Sequence, residues 1–370
     1  MTVTEHTARM GLCSLQPLGS PPLVRAVEEF GAVDVWRGLL AKPDGGALSR
    51  KAALVDTGLV ERAAAACGAR FLIPSDQEWP ARLNDLYRAN VAGQTGPPLG
   101  LWVRGASLEG LGGGVAVVGA RACTSYGEQA SITLAADLAA AGTPIISGLA
   151  FGVDAAAHRG ALGVQGLTAA VVASGLDDPY PSANARLAQA VAGCGALVSE
   201  LPPGARPTRY AFLARNRLIA ALSEAVVVVE ASSRSGAKNT ASWGLALGRH
   251  VMAVPGPITS SLSATPHRLI RDGEAVLVST AQEILALLAP LGSAPEPSGR
   301  GANRPMDTLP PHLREIREAV HTREEVTASE LAARTGQTMV EALANAAELV
   351  ESGWLADGEE GGFRLPGRGR

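Results

Sequence analysis

Seven short runs of small and β-branched residues follow one another between Val115 and Ser279: VAVVG, TPIISG, TAAVVAS, GALVSE, AVVVVEA, HVMAVPG and AVLVS. Their apolar centres are nearly continuous rather than alternating with polar residues. Such a run buries both of its faces, as strands do in a parallel sheet covered by helices on either side. The intervening stretches supply those helices: EQASITLAADLAAAG, VDAAAHRGALG, NARLAQAVAGC, RLIAALSE and NTASWGLALGR. The pattern predicts an α/β architecture with a doubly wound, mostly parallel sheet. Ligands on such a sheet sit beyond the carboxyl ends of the strands, so the residues after each run are the candidates for function.

Three further segments separate by composition. From Leu15 to Cys67 the pattern is short and helical, broken at GSPP and KPDGG, which predicts a small helical domain over 1–68. The sheet domain then spans 69–288. A Pro/Gly/Ser-rich linker is expected over 289–306. Over 307–370, HLREIREAVHT, TASELAARTG and MVEALANAAELVESG read as three helices and WLADGEEGGFRLPG as a hairpin, the order of a winged helix. The formal net charge of −3 is unevenly spread: 307–370 carries 7 basic and 12 acidic residues, whereas Leu201 to Ser223 holds Arg206, Arg209, Arg215 and Arg217 and no acid. A local cationic patch can hold phosphates even on a mildly acidic protein.

The loop VVGARACTSYG ends a strand in Gly119 and opens a helix, a common way to hold a phosphate. It departs from G-x-G-x-x-G, and no acid closes the next strand where a dinucleotide's ribose would be held. G-x-x-x-x-G-K-[ST] is also missing. Arg121 can fork onto phosphate oxygens or pair with a carboxylate at the sheet edge. In SGLAFGVDAAAHRGAL, Asp154 and His158 lie one turn apart. They read either as an acid–base pair or, in the favoured reading, as a helix cap beside a packed histidine, since no nucleophile or metal-ligand set accompanies them. Tyr180, in SGLDDPYPSAN, either stacks on a ligand or plugs the sheet end. In SELPPGARPTRYAFLARNRLIAALS, Arg209, Arg215 and Arg217 surround Tyr210 and Phe212. Arginines for phosphates interleaved with aromatics for bases suit single-stranded nucleic acid. Gly236, Lys238 and Asn239 open another helix whose start can receive an anion.

The remaining features exclude rather than assign. Cys13, Cys67, Cys123 and Cys194 are scattered without CxxC or His-paired spacing, so no metal or disulfide framework is expected. No run approaches the roughly 18 apolar residues of a membrane helix, and the first residues lack the basic-then-apolar order of a secretory signal. These observations suit a cytoplasmic protein.

Taken together, GARACTSYG, SGLAFGVDAAAHRGAL, GLDDPYPSAN, LVSELPPGARPTRYAFLARNRLIAALS, VVVVEASSRSGAKNTASWGLALGR and VMAVPGPITS resemble the DNA-processing protein A (DprA/Smf) family in order and spacing. The resemblance implies an extended Rossmann-like domain, flanked by a sterile-alpha-motif-like helical domain and a winged helix. It implies a non-enzymatic protein with no cofactor and no small-molecule substrate. Such a protein binds single-stranded DNA in natural transformation, loads the RecA recombinase and acts as a homodimer. Carried over by motif, Arg121 binds phosphate with Thr124 and Tyr126 beside it. Arg209 stands where the family commonly has lysine, and Phe212 stacks on a base. Arg215, Asn216 and Arg217 form the R-N-R that begins the next helix. His267, Ile270 and Val276 match a dimer and recombinase patch. This sequence departs from the family in Ala120, where G-S-R is usual, in Ser182, and in Lys238 and Asn239, whose added charge is assigned here to DNA.

Two other classes fit a Rossmann-like sheet. A nucleoside-monophosphate phosphoribohydrolase would resemble P-G-G-x-G-T-x-x-E, but SRSGAKNTASW supplies no glutamate at that place. A nucleotide-sensing module would bind mononucleotides and report through its C-terminal domain.

Overall fold

Each of the seven apolar runs becomes a strand. The computed structural model describes residues 3–15, 20–290, 305–322, 324–359 and 361–366 of the chain. It divides into two compact units, Met1–Ala294 and Pro295–Arg370. Most of the linker expected over 289–306 lies outside the described residues.

In the first unit, helices α1 (Glu5–Cys13), α2 (Pro21–Phe30), α3 (Ala32–Ala41), α4 (Ala47–Ala52) and α5 (Thr57–Ala66) come first. Strand β1 (Arg70–Leu72) follows, then a small hairpin of β2 (Asn90–Val91) and β3 (Gln94–Thr95), and β4 (Leu101–Gly105). Strands and helices then alternate: β5 (Val115–Val118), α6 (Ser125–Ala140), β6 (Ile145–Ser147), α7 (Val153–Gly163), β7 (Thr168–Val172), α8 (Ala185–Cys194) and β8 (Ala196–Ser199). They continue with α9 (Arg209–Leu222), β9 (Ala225–Val228), α10 (Gly236–Ala246), β10 (His250–Ala253), α11 (Ala264–Arg271), β11 (Val276–Leu277) and α12 (Ala281–Leu288).

Nine strands form one sheet in the order β1-β4-β8-β7-β6-β5-β9-β10-β11. From β8 to β11 all pairings are parallel; β4 is antiparallel to β8, and β1 to β4. The sheet is therefore mostly parallel, as expected, with two antiparallel strands added by RFL and LWVRG.

Both faces are covered, which is why the central strands are apolar throughout. One face packs Ala116, Val118, Val226 and Val228 under Leu218, Leu222 and Trp243 of α9 and α10. The other packs Val115, Val117 and Val227 under Leu134, Leu138 and Ala157 of α6 and α7. Towards β1 that second face is shared between α8, through Ala188 and Val191, and the N-terminal helices. There Trp102, Val172 and Leu197 share a core with Leu12, Trp36 and Leu23 of the N-terminal helices. The helices expected as a separate domain over 1–68 thus cover the sheet and belong to the same compact unit.

In the second unit, α13 (Pro311–Ala319), α14 (Ala328–Thr335) and α15 (Met339–Glu351) precede an antiparallel pair, β12 (Ala356–Asp357) and β13 (Phe363–Arg364). Val326 bridges Phe363, and Leu313, Ile316, Leu331, Leu349 and Phe363 form a core. Capping boxes, Thr327 with Glu330 and Thr338 with Glu341, start α14 and α15.

Candidate nucleic-acid interface

The chain leaves β5 towards β6 but leaves β9 towards β10, so the crossovers beyond these neighbouring strands part in opposite directions. This is the switch point of a doubly wound sheet, where a crevice must open. A cleft of about 730 Å³ lies there, lined by Gly119–Ala122 after β5, Ala150 and Asp154 after β6, one face of α9, and Ser232 and Arg234–Ala237 after β9.

The β5 loop is held tightly. A side chain at Gly119 would overlap Val153 and the Glu230 carbonyl, so glycine lets the strands and α7 close together. Ala120 N–H donates to the Glu230 carbonyl at 2.6 Å, and Val153 N–H donates to the Ala120 carbonyl at 3.2 Å. Arg121 is thereby fixed at the mouth. Its guanidinium lies 4.7 Å from the centroid of Phe212, close enough for a cation–π contact. The rings of Phe212 and Tyr180 meet edge to face, their centroids 5.7 Å apart. Arg209 in the first turn of α9 and Arg234 before α10 add two exposed cations. Among the described residues no carboxylate lies within 4.0 Å of Arg121, Arg209 or Arg234 to form an ion pair. The alternative of an Arg121 paired at the sheet edge is thus not what forms.

Arg215 forms the floor. It is buried, and its Nη1 donates to the Val171 carbonyl at 2.7 Å. Burial pulls its pKa down to about 10; Asp154 opposes the shift and Arg121 adds to it. Asp154 accepts from Gly148 N–H at 3.2 Å. Its pKa is raised by burial, against the opposing pull of Arg215 and of backbone amides. It does not cap α7, which starts from Gly152. His158 is no partner for it. The hydroxyl of Thr168 donates to the Ile145 carbonyl and therefore accepts from His158 Nδ1–H at 2.8 Å. Burial, and secondarily Arg215, lowers the His158 pKa to about 3, so the ring packs as a neutral group. The packed-histidine reading holds, and no acid–base pair forms.

Several residues assigned to DNA have partners within the scaffold. Helix α9 starts at Arg209, capped by Thr208, whose hydroxyl accepts from Ala211 N–H at 3.1 Å. The R-N-R segment is therefore mid-helix rather than at its start. Arg217 turns away from the cleft and is buried, donating to both Glu200 oxygens at 2.7 and 2.8 Å. Asn216 lines the cleft but donates to the Gly236 carbonyl and Asn239 Oδ1, tying α9 to the start of α10. Thr124 caps α6 and donates through its hydroxyl to buried Glu230 at 2.7 Å. Tyr126 is anchored through its hydroxyl to the Pro255 carbonyl and faces a separate hollow beside Gln129 and Thr280. Lys238 is exposed on α10, outside the cleft lining.

His267 contacts the Gly256 carbonyl through Nε2, Ile270 is half-buried on α11, and Val276 is exposed on the sheet's outermost strand. The sequence reading had not singled out Arg234, Glu200 or Glu230. Arg234 was legible as a residue between a strand end and a helix start, the place that gathers ligands in this fold. The two glutamates carried no local signal.

The model of the family described as DNA recombination-mediator protein A matches residues 70–289, the whole of the sheet from β1 to α12. The chain belongs to that family. It is 43% identical over 307 residues to a putative DNA processing protein DprA of Mycobacterium tuberculosis, covering 80% of this chain and 77% of the relative. With the Smf protein of Escherichia coli it shares 40% over 302 residues, with the same coverage. Among solved structures, DNA processing protein A of Streptococcus pneumoniae superposes with a TM-score of 0.64 at 31% identity, over 77% of this chain and 98% of that one. The Helicobacter pylori DNA processing protein A, described for its single-stranded DNA binding mode, gives 0.52 at 30%, over 60% and 95%. The family's match lies within the unit that carries the cleft.

Proposed function

We propose that the protein binds single-stranded DNA across the switch-point cleft and acts on it as a binding protein rather than an enzyme. The observation that carries this reading is the mouth of the cleft: Arg121, Arg209 and Arg234 stand exposed without carboxylate partners, and Arg121 is braced on Phe212. Free arginines attract phosphates, and an aromatic beside them attracts bases. The single-stranded DNA binding described for the Helicobacter pylori relative supports it. Asp154 and His158, the residues best suited to acid–base work, are occupied inside the scaffold, which favours binding over the phosphoribohydrolase alternative.

In this reading Arg121, Arg209 and Arg234 hold phosphates, with Lys238 as an outer contact. The protein protects incoming DNA during transformation and loads the RecA recombinase onto it. It works in the cytoplasm as a homodimer, through the edge that carries His267, Ile270 and Val276. The N-terminal helices correspond to a sterile-alpha-motif-like module. The C-terminal unit, a winged helix in its element order, is a protein-contact module rather than a duplex binder, because its net charge of −5 over 307–370 repels DNA.

Replacing Arg121 with alanine tests the reading. Affinity for single strands of any sequence falls, and the slope of log K against log salt drops by about one. Fluorescence anisotropy with labelled oligonucleotides at several salt concentrations measures both. Unchanged affinity, or a loss confined to particular sequences, overturns the phosphate role.

A further inference from the structure

Phe212 is the aromatic that the sequence assigns to a base, yet it is poorly placed to be the principal platform. It is half-buried, Arg121 covers part of its ring, and Tyr180 packs against it. Besides Tyr126, whose hydroxyl is anchored to the Pro255 carbonyl over a separate hollow, two other aromatics stand open to solvent on this edge of the sheet. Phe151 follows β6 and is 46% exposed; Tyr180 follows β7 and is 44% exposed. Strands β6 and β7 are neighbours, about 4.8 Å apart. The two residues therefore stand at successive positions along the carboxyl edge, next to the cleft.

Both are held in place from behind. Gly152, with φ of 73°, brings the turn after Phe151 against the carbonyls of Ala120 and Arg121, where any side chain would collide. Phe151 is thus tied to the loop that carries Arg121. Tyr180 N–H donates to Ser174 Oγ at 3.0 Å, and the Ser174 carbonyl accepts from Ser199 Oγ at 2.7 Å. A stacking ring that is already ordered loses little entropy when a base settles on it.

We infer that Phe151 and Tyr180 are base-stacking residues, and that the DNA strand leaves the cleft over the ends of β6 and β7. This rests on the reading of the cleft as a single-strand site and gives it a direction: phosphates on the arginines at the switch point, bases on the aromatics beyond. Arg186 and Arg206, exposed in the segments that follow β7 and β8, continue the line of cations. Every base has an aromatic face, so the track is tolerant of sequence.

The test uses the full chain and two oligothymidylates of equal length, one ordinary and one with abasic sites, so that phosphates are equal and bases differ. Phe151→Ala and Tyr180→Ala each weaken binding of the ordinary strand by roughly 5- to 100-fold and leave the abasic strand almost unchanged. Phe151→Leu and Tyr180→Leu keep apolar bulk and weaken it similarly; Phe151→Tyr and Tyr180→Phe restore it. As a second readout, tryptophan is placed at 151 or 180. Trp36, Trp79, Trp102 and Trp243 are buried, and the half-buried Trp354 is common to parent and variant, so the signal beyond the parent's reports contact at the new indole. Its emission is quenched by the ordinary strand and not by the abasic one. If the alanine variants bind both strands like the parent while Arg121→Ala is weakened, the stacking track is wrong and the cleft reading stands. If Arg121→Ala also binds like the parent, the cleft reading itself fails.

Discussion

Arg217 and Arg121 carry the same group and are predicted to fail in opposite ways. Arg217 is 1% exposed and Glu200 is 5% exposed, and the pair is closed by two hydrogen bonds of 2.7 and 2.8 Å. Arg217→Met keeps the side chain's length and apolar stem but strips Glu200 of its cation. A buried carboxylate left without its partner costs about 3–5 kcal/mol. At roughly 2 cal/mol/K of unfolding entropy per residue, a unit spanning Met1–Ala294 loses about 5–8 °C in Tm. Adding Glu200→Gln removes the stranded charge and recovers most of that loss, since an uncharged pair in the same space costs far less than half an ion pair. Differential scanning calorimetry gives the Tm of single and double variants, and anisotropy below the transition gives DNA affinity. Affinity of the folded fraction stays within about twofold, because neither group reaches the cleft; the expectation follows from additivity of separated sites. A Tm unchanged by Arg217→Met together with a tenfold loss of DNA binding would show that the arginine leaves Glu200 to act on DNA, and the argument would fall.

Two other predictions concern the scaffold beneath the cleft. His158 is neutral when folded, with a pKa lowered to about 3, and returns to about 6.5 when the chain unfolds. The unfolded state then binds the extra proton between those values, so stability is fully present above about pH 6.5 and falls by up to about 1.4 kcal/mol per pH unit below it. His158→Gln removes that increment; superimposable Tm–pH curves between pH 4 and 7 would contradict a buried neutral ring. At Gly148 a side chain would overlap the Arg215 guanidinium. Gly148→Ala therefore costs about 1–3 kcal/mol by overpacking and displaces the floor of the cleft. A variant with parental Tm and parental affinity would mean that Arg215 is free to move.

The layout of the sheet was legible because its signal is local. VAVVG or AVVVVEA excludes polar side chains over a whole strand, and only a strand covered on both faces needs that. The loops were legible by the same logic, since they follow the runs. The antiparallel pair β1 and β4 was harder to see: RFL and LWV are short and lie outside the alternation with helices; Phe71 and Trp102 are buried under the N-terminal helices, and Leu72, Leu101 and Val103 on the other face against Leu83 and Leu86. The cleft-facing row Arg209, Phe212, Leu213, Asn216 and Ile219 follows helical spacing, but the spacing emerges only once α9 is known to start at Arg209.

The amino-acid sequence alone determined that the chain folds around a mostly parallel sheet, that arginines lie in the loops beyond its strands, and which family it resembles. Those properties depend on residue type and short-range order. Only the tertiary structure decided which arginine is buried and which stands at the cleft. Arg215 and Arg217 are two residues apart on one helix, about 200° around its axis. One lies under the cleft and the other meets Glu200. Which side of a helix becomes floor, core or surface depends on what packs against it. For α9 that is settled by β9 crossing back beside β5, a pairing between residues more than one hundred positions apart.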